Sequence, residues 1–173
     1  MACASSSRRS ARSEASRAVE EASHRLLPAL VDDGPLTIVD AGRATPVAAS
    51  DGVLSIVGLA VVCVRQRRGS AVAVAADLER TAELCDVLAA RAVPTMLAMV
   101  GTEPFGPAEI AAYVAGEGSV MPWCVLADDG WAAGVLAGRV GSPARLRRTP
   151  LLQSAARAIR RIDDELRRAA VAP

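Results

Sequence analysis

Side chains able to carry chemistry are few in this chain, and their spacing excludes more than it supplies. The only histidine, His24, stands beside Arg25 with no acid–nucleophile pattern around it, and reads as a solvated or partly buried imidazole. Ser50–Asp51 and Ser154 have no histidine at a workable spacing, and Gly-x-Ser-x-Gly is absent. Serine-hydrolase chemistry therefore has no support. Cys3, Cys63, Cys85 and Cys124 form no Cys-x-x-Cys pair, so no zinc-ligand spacing exists. Cys63 and Cys124 fall in apolar strand-like runs and Cys85 in a helical one, where the thiol is expected to be a small buried hydrophobe. Thiols of this kind fit a reducing, cytoplasmic setting.

The acids say more. Asp40 ends the β-rich run Leu36–Val39 and is followed by Gly42; at a strand end such an acid caps the following loop or holds a ligand. Asp128 and Asp129 follow the apolar run Pro122–Leu126 and read first as helix N-caps. The 20 basic residues are all arginine, with no lysine anywhere. Asparagine is absent too, a usage typical of a GC-rich genome such as an actinobacterial one. Arginines gather from Arg139 to Arg168 and could bind DNA phosphates or anionic lipid, but Asp163, Asp164 and Glu165 interrupt them, so a solvated helix face is expected first. A net charge of +1 makes the molecule no electrostatic match for nucleic acid. No apolar run is long enough for a membrane span, and membrane binding is not expected.

These residues need elements to hold them. Hydrophobic residues make up 51% of the 173, mostly Ala and Val, which favours helices packed closely on a sheet of one domain. The Ser/Arg-rich residues 1–13 lack an apolar segment behind them and read as a flexible tail, with one α/β domain over 14–173. Helical periodicity spans Glu14–Val31 and stops at Asp32–Pro35. A short helix around Asp51–Val57 precedes the continuous apolar run Leu59–Val64, which reads as a strand buried on both faces. A helix over Ala71–Ala92 should bury Val74, Leu78, Ala82, Cys85 and Leu88 or Ala89. Strands follow at Thr95–Val100 and Pro122–Leu126, with a helix from Pro107 to Val114 between them. A short helix to Leu136 and a last one over Thr149–Val171, with Leu152, Ala155, Ile159, Ile162 and Leu166 as its stripe, complete the pattern. Alternation of this kind predicts a mostly parallel sheet of about four strands with helices on both faces. The loops Asp40–Arg43, Arg65–Gly69, Gly101–Phe105 and Ala127–Asp129 should then share the edge where open α/β sheets bind ligands.

Four stretches in this order carry a likeness: LTIVDAGR (Leu36–Arg43), GLAVVCVRQ (Gly58–Gln66), VPTMLAMVGTEPFGPAEI (Val93–Ile110), and PWCVLADDGWAAGVLAG (Pro122–Gly138) with RRTPLLQSAARAI (Arg147–Ile159). Together they resemble the MinD/ParA family of deviant P-loop ATPases, in the part after the phosphate-binding loop. The resemblance implies a Rossmann-like, truncated P-loop NTPase-like fold. It also marks Asp40, Gly42, Ala127 and Asp128 as remnants of a nucleotide site, Asp40 as the acid that orients a magnesium-bound water. The departures are as informative. Such a loop needs glycines, a lysine for the β- and γ-phosphates and a Ser or Thr for magnesium. Here no Gly-rich loop precedes Leu36 and no lysine exists.

The expectation is a catalytically inactive member, a pseudo-ATPase with no cofactor of its own. It would act by binding itself or an intact homologous ATPase, in division, partitioning or secretion positioning. The alternative is a fragment or mis-started reading of an active ATPase, in which a longer chain or a partner supplies the loop for ATP and magnesium.

Overall fold

Thr95–Val100 is a six-residue run, apolar from Met96 on and closed by Gly101, and four of its side chains, Met96 to Met99, are buried. Only a strand with neighbours on both sides and cover on both faces meets that condition. In a computed structural model, which describes residues 37–40, 54, 57–67, 69–116, 121–139 and 143–171, this run is the middle of three parallel strands. The chain divides into two compact units, Met1–Val57 and Gly58–Pro173.

The second unit contains β1 (Ala60–Arg65), α1 (Ala71–Ala90), β2 (Thr95–Val100), α2 (Pro107–Ala115), β3 (Trp123–Leu126), α3 (Gly130–Leu136), a 3₁₀ turn (Pro143–Arg148) and α4 (Pro150–Val171). Strand order is β1-β2-β3, with Val61 opposite Met96, Cys63 opposite Ala98 and Ala98 opposite Cys124. Two successive crossovers of the same hand put α1 and α2 on one face. There Val74, Leu78 and Cys85 of α1 and Ile110 and Val114 of α2 pack on Val64, Leu97 and Met99. On the opposite face Ala158 and Ile162 of α4 pack on Met96, Ala98 and Cys124. This is an α/β, Rossmann-like open sheet with helices on both faces.

Several expectations need correction. Three strands form among the described residues, not four. Thr37–Asp40 has no regular structure, with Ile38 87% and Val39 51% exposed; an apolar run this short needs a packed neighbour to hold it as a strand. β1 is not buried on both faces: Val61 is 38% exposed and Cys63 is exposed, because α4 lies over β2 and β3 and leaves that row of the edge strand uncovered. The stripe of α4 is rotated as well. Ser154 and Ala158 are buried and Ile159 is 65% exposed, since close approach to the sheet selects the smallest side chains. In α1, Leu84 joins the buried face while Ala82 is half-buried. Residues 14–31, including His24, lie outside the described residues, as does Asp51; Leu54, in the expected short helix, is helical.

Helix α1 ends without the usual glycine. Val93 N–H donates to Leu88 C=O at 3.0 Å and Ala92 N–H to Ala89 C=O at 2.9 Å, with Ala92 left-handed at φ 54°. This is the six-to-one and five-to-two closure of a Schellman turn, with Val93 buried after it. A Cβ in that conformation costs about 1 kcal/mol. Ala92→Gly is therefore expected to raise stability by roughly 0.5–1 kcal/mol, read as a higher urea midpoint at unchanged slope. An unchanged or lower midpoint would contradict the assigned turn.

Candidate functional site

The three parallel strands end together at Arg65, Val100 and Leu126. At such an edge the backbone leaves the sheet and its polar groups need new partners. Gln66, 2% exposed, supplies two: its amide nitrogen donates to Gly101 C=O at 3.1 Å, and its amide oxygen accepts from Phe105 N–H at 2.9 Å. One side chain thus ties the end of β1 to both ends of the loop after β2. Gly101 opens that loop at φ +85°, a conformation that glycine adopts without strain.

Ion pairing bridges the same edge. An Arg65 Nη donates to Asp128 Oδ1 at 3.2 Å, across β2 from β1 to the end of β3, with both side chains largely exposed. Asp129 caps α3, its carboxylate accepting from Ala132 N–H at 2.9 Å. Ser154, 2% exposed on α4, accepts from Ala127 N–H at 2.9 Å and donates to Leu151 C=O at 2.8 Å. The loop after β3 is therefore held from both sides.

Beside these contacts lies an open cavity of about 660 Å³. One wall is β3 from Trp123 to Leu126, continued by Ala127 and Asp128; the other is the α4 face carrying Ser154, Arg157, Ala158 and Arg161; the Gly101–Glu103 loop and Gln66 close its end. The Arg161 guanidinium sits 5.8 Å from the centre of the Trp123 ring, a cation–π contact. Burial raises the Cys124 thiol above its ordinary pKa, nearby Cys63 adds to the rise, and Arg161 partly opposes it. Cys124 is therefore a neutral wall residue rather than a nucleophile at neutral pH.

Of the residues marked by sequence, the structure brings Ala127 and Asp128 together in the cavity wall. Asp40 belongs to the other unit, and Gly42 lies outside the described residues. Sequence reasoning missed Gln66, whose role depends on two distant backbone groups. It also placed Arg157 and Arg161 in a stretch read first as a solvated face; their four-residue spacing beside Ser154 and Ala158 was the available signal. Among the described residues, no cluster of three or more His, Cys, Asp and Glu side chains is placed to hold a metal ion. No helix among them is long and apolar enough to cross a membrane. Fold and site together define a Rossmann-like α/β domain with a groove beside the last strand. No protein-family model, curated protein or solved structure matches the chain.

Two outcomes follow from this geometry. Gln66→Ala leaves the Gly101 carbonyl and the Phe105 amide without their partner, and is expected to cost about 2–3 kcal/mol in urea unfolding. Arg65→Ala removes an exposed pair and should cost under about 1 kcal/mol; equal losses would refute the bracing role of Gln66. The second outcome concerns pH. Burial, with Asp86 beside it, pushes the Cys85 thiol up to about 11 from 9.0. A raised folded pKa means the folded state holds its proton where the unfolded one has lost it. That stability is present below pH 9.0 and falls as pH rises toward about 11. Cys85→Ala should flatten this decline in melts recorded across the window, and an unchanged slope would show that Cys85 does not cause it.

Proposed function

We propose that this chain is a binding domain rather than a catalyst, a pseudo-ATPase of MinD/ParA type acting through protein association. Division, chromosome partitioning or secretion positioning are the processes such a domain would serve. The observation that carries the reading is the engagement of the polar groups at the strand ends. Asp128 pairs with Arg65, Asp129 caps α3, Gln66 braces the loop after β2 and Ser154 holds Ala127. Each stabilises the scaffold at the edge where a nucleotide enzyme of this layout keeps groups aimed at its ligand. The lack of any lysine points the same way, since phosphate-loop chemistry depends on one. Asp40 and Gly42 are then relics of a site rather than parts of a working one.

Association is supported by surface that a solitary domain rarely leaves bare. In the first unit Ile38 and Val39 are exposed; in the second, Val61 is exposed beside Cys63 on the uncovered row of β1. Exposed apolar surface of this sort commonly marks contact with another protein, here a second copy of the chain or an intact homologous ATPase.

Calorimetry with ATP and magnesium should give no binding in the micromolar range, and hydrolysis should stay at background. Micromolar affinity abolished by Asp40→Ala would overturn the pseudo-ATPase reading. Light scattering over a range of concentrations should show a mass above that of the 17.8 kDa monomer, lowered by Ile38→Lys with helical content retained. A strictly monomeric mass would remove self-association and leave only a heterologous partner.

A further inference from the structure

We propose that the outer edge of β3 is a docking site for an extended acidic peptide that adds to the sheet as a fourth strand; the inference rests on the binding-domain reading and names the chemistry of the partner. Backbone bonds fix which groups are free to receive it. Leu97 N–H donates to Pro122 C=O at 2.9 Å and Gly101 N–H to Leu126 C=O at 2.9 Å, so alternate residues of β3 turn their polar groups toward β2. Trp123 and Val125 then turn theirs outward, while Ala127 shares that parity with its groups already engaged, its C=O accepting from Asp129 N–H at 3.0 Å. Ala127 confirms the parity, because its N–H is met from outside the sheet by the Ser154 hydroxyl. Among the described residues β3 has only β2 as a strand partner. The cavity lies along this stretch, from Trp123 to Ala127. Paired backbone groups give such docking its strength, and flanking side chains give it selectivity.

Charge selects the occupant. The charged residues lining the groove are Arg157, Arg161, Glu103 and Asp128. Asp128 pairs with Arg65 and Glu103 has an interaction of its own, whereas Arg157 and Arg161, both exposed, pair with no carboxylate among the described residues. Four residues of helix rise about 6 Å. Alternate residues of an extended strand lie about 6.6–6.8 Å apart. A peptide with acids at every second position therefore presents one carboxylate to each arginine while its backbone runs along β3. A second copy of β3 in that place would bring four arginines together, which opposes self-pairing. A nucleic-acid strand has phosphates but no row of alternating N–H and C=O groups to complete the edge.

The test uses the full chain and a short fluorescein-labelled peptide alternating valine and aspartate, read by fluorescence anisotropy. A peptide of the same composition with its acids in one block serves as control. The alternating peptide should bind saturably and at least several-fold more tightly than the control. Arg157→Gln and Arg161→Gln should each weaken it by roughly fivefold, as for an exposed ion pair at the upper end of its usual range. Bound peptide should slow hydrogen exchange at the Val125 amide, which a surface charge contact would leave unchanged. Equal affinity for the two peptides, an unprotected Val125 amide, or no saturable binding up to millimolar peptide would each overturn the inference. Nucleotide calorimetry on the same preparation separates the two levels: a chain that binds neither ATP nor peptide loses this partner and keeps the binding-domain reading.

Discussion

A parallel sheet of three strands has one interior strand, and the burial of β2 on both faces is the constraint from which the rest of the second unit follows. Met96 and Ala98 face one way, Leu97 and Met99 the other, and all four are buried. Two right-handed crossovers place α1 and α2 on the Leu97 side, and on the Met96 side Leu59 and the chain after β3 supply cover. In that chain the covering element is α4. A helix with its side chains is about 10–12 Å wide, and strands are spaced about 4.8 Å apart. One helix therefore covers little more than two strands. Laid over β2 and β3, α4 leaves Val61 and Cys63 of β1 exposed.

The same geometry makes the C-terminal edge demanding. Three strands stop together, and the loops that leave them carry backbone groups no strand can satisfy. The exposed Arg65–Asp128 pair spans the edge, but screening and side-chain entropy leave such a pair about 0–1 kcal/mol. Gln66 is buried and meets one donor and one acceptor, so its loss would strand two polar groups in a closed environment. The edge is thus held chiefly by an uncharged amide, while the more visible ion pair contributes less. An edge braced in this way is a fixed wall, suited to presenting a constant surface to a partner.

How much of this was legible follows from the range of the interactions involved. β2 is readable because the consecutive residues Met96 to Val100 carry its apolar character, and α3 because Asp129 announces its cap. Pro107 likewise marks the start of α2. Cys63 was misread because an apolar run shows that a strand is apolar, not whether a helix reaches over it. Ile159 was misread because helical periodicity alone does not weigh a large residue against Ala158, and sheet contact prefers the smaller here. Gln66 could not be found at all. Its partners lie 35 and 39 residues away, and no local pattern records them. Local propensity is written in neighbouring residues, whereas satisfaction of backbone groups at a sheet edge is written across the whole fold.

The exclusive use of arginine gives the groove beside β3 a specific character. A guanidinium is planar, offers forked donors and stacks on aromatic rings, which an ammonium does not do as well. Arg161 uses that property over Trp123. Trp123 also packs against the core on the α1–α2 side of the sheet. Natural sheets protect open edges with charge, because a charged side chain at the edge discourages pairing with a like strand. Protection by charge is selective by its nature: what repels another positive edge attracts a negative one. The arrangement that keeps β3 from pairing with itself therefore also defines which kind of strand it can accept, and both properties reside in the same two side chains.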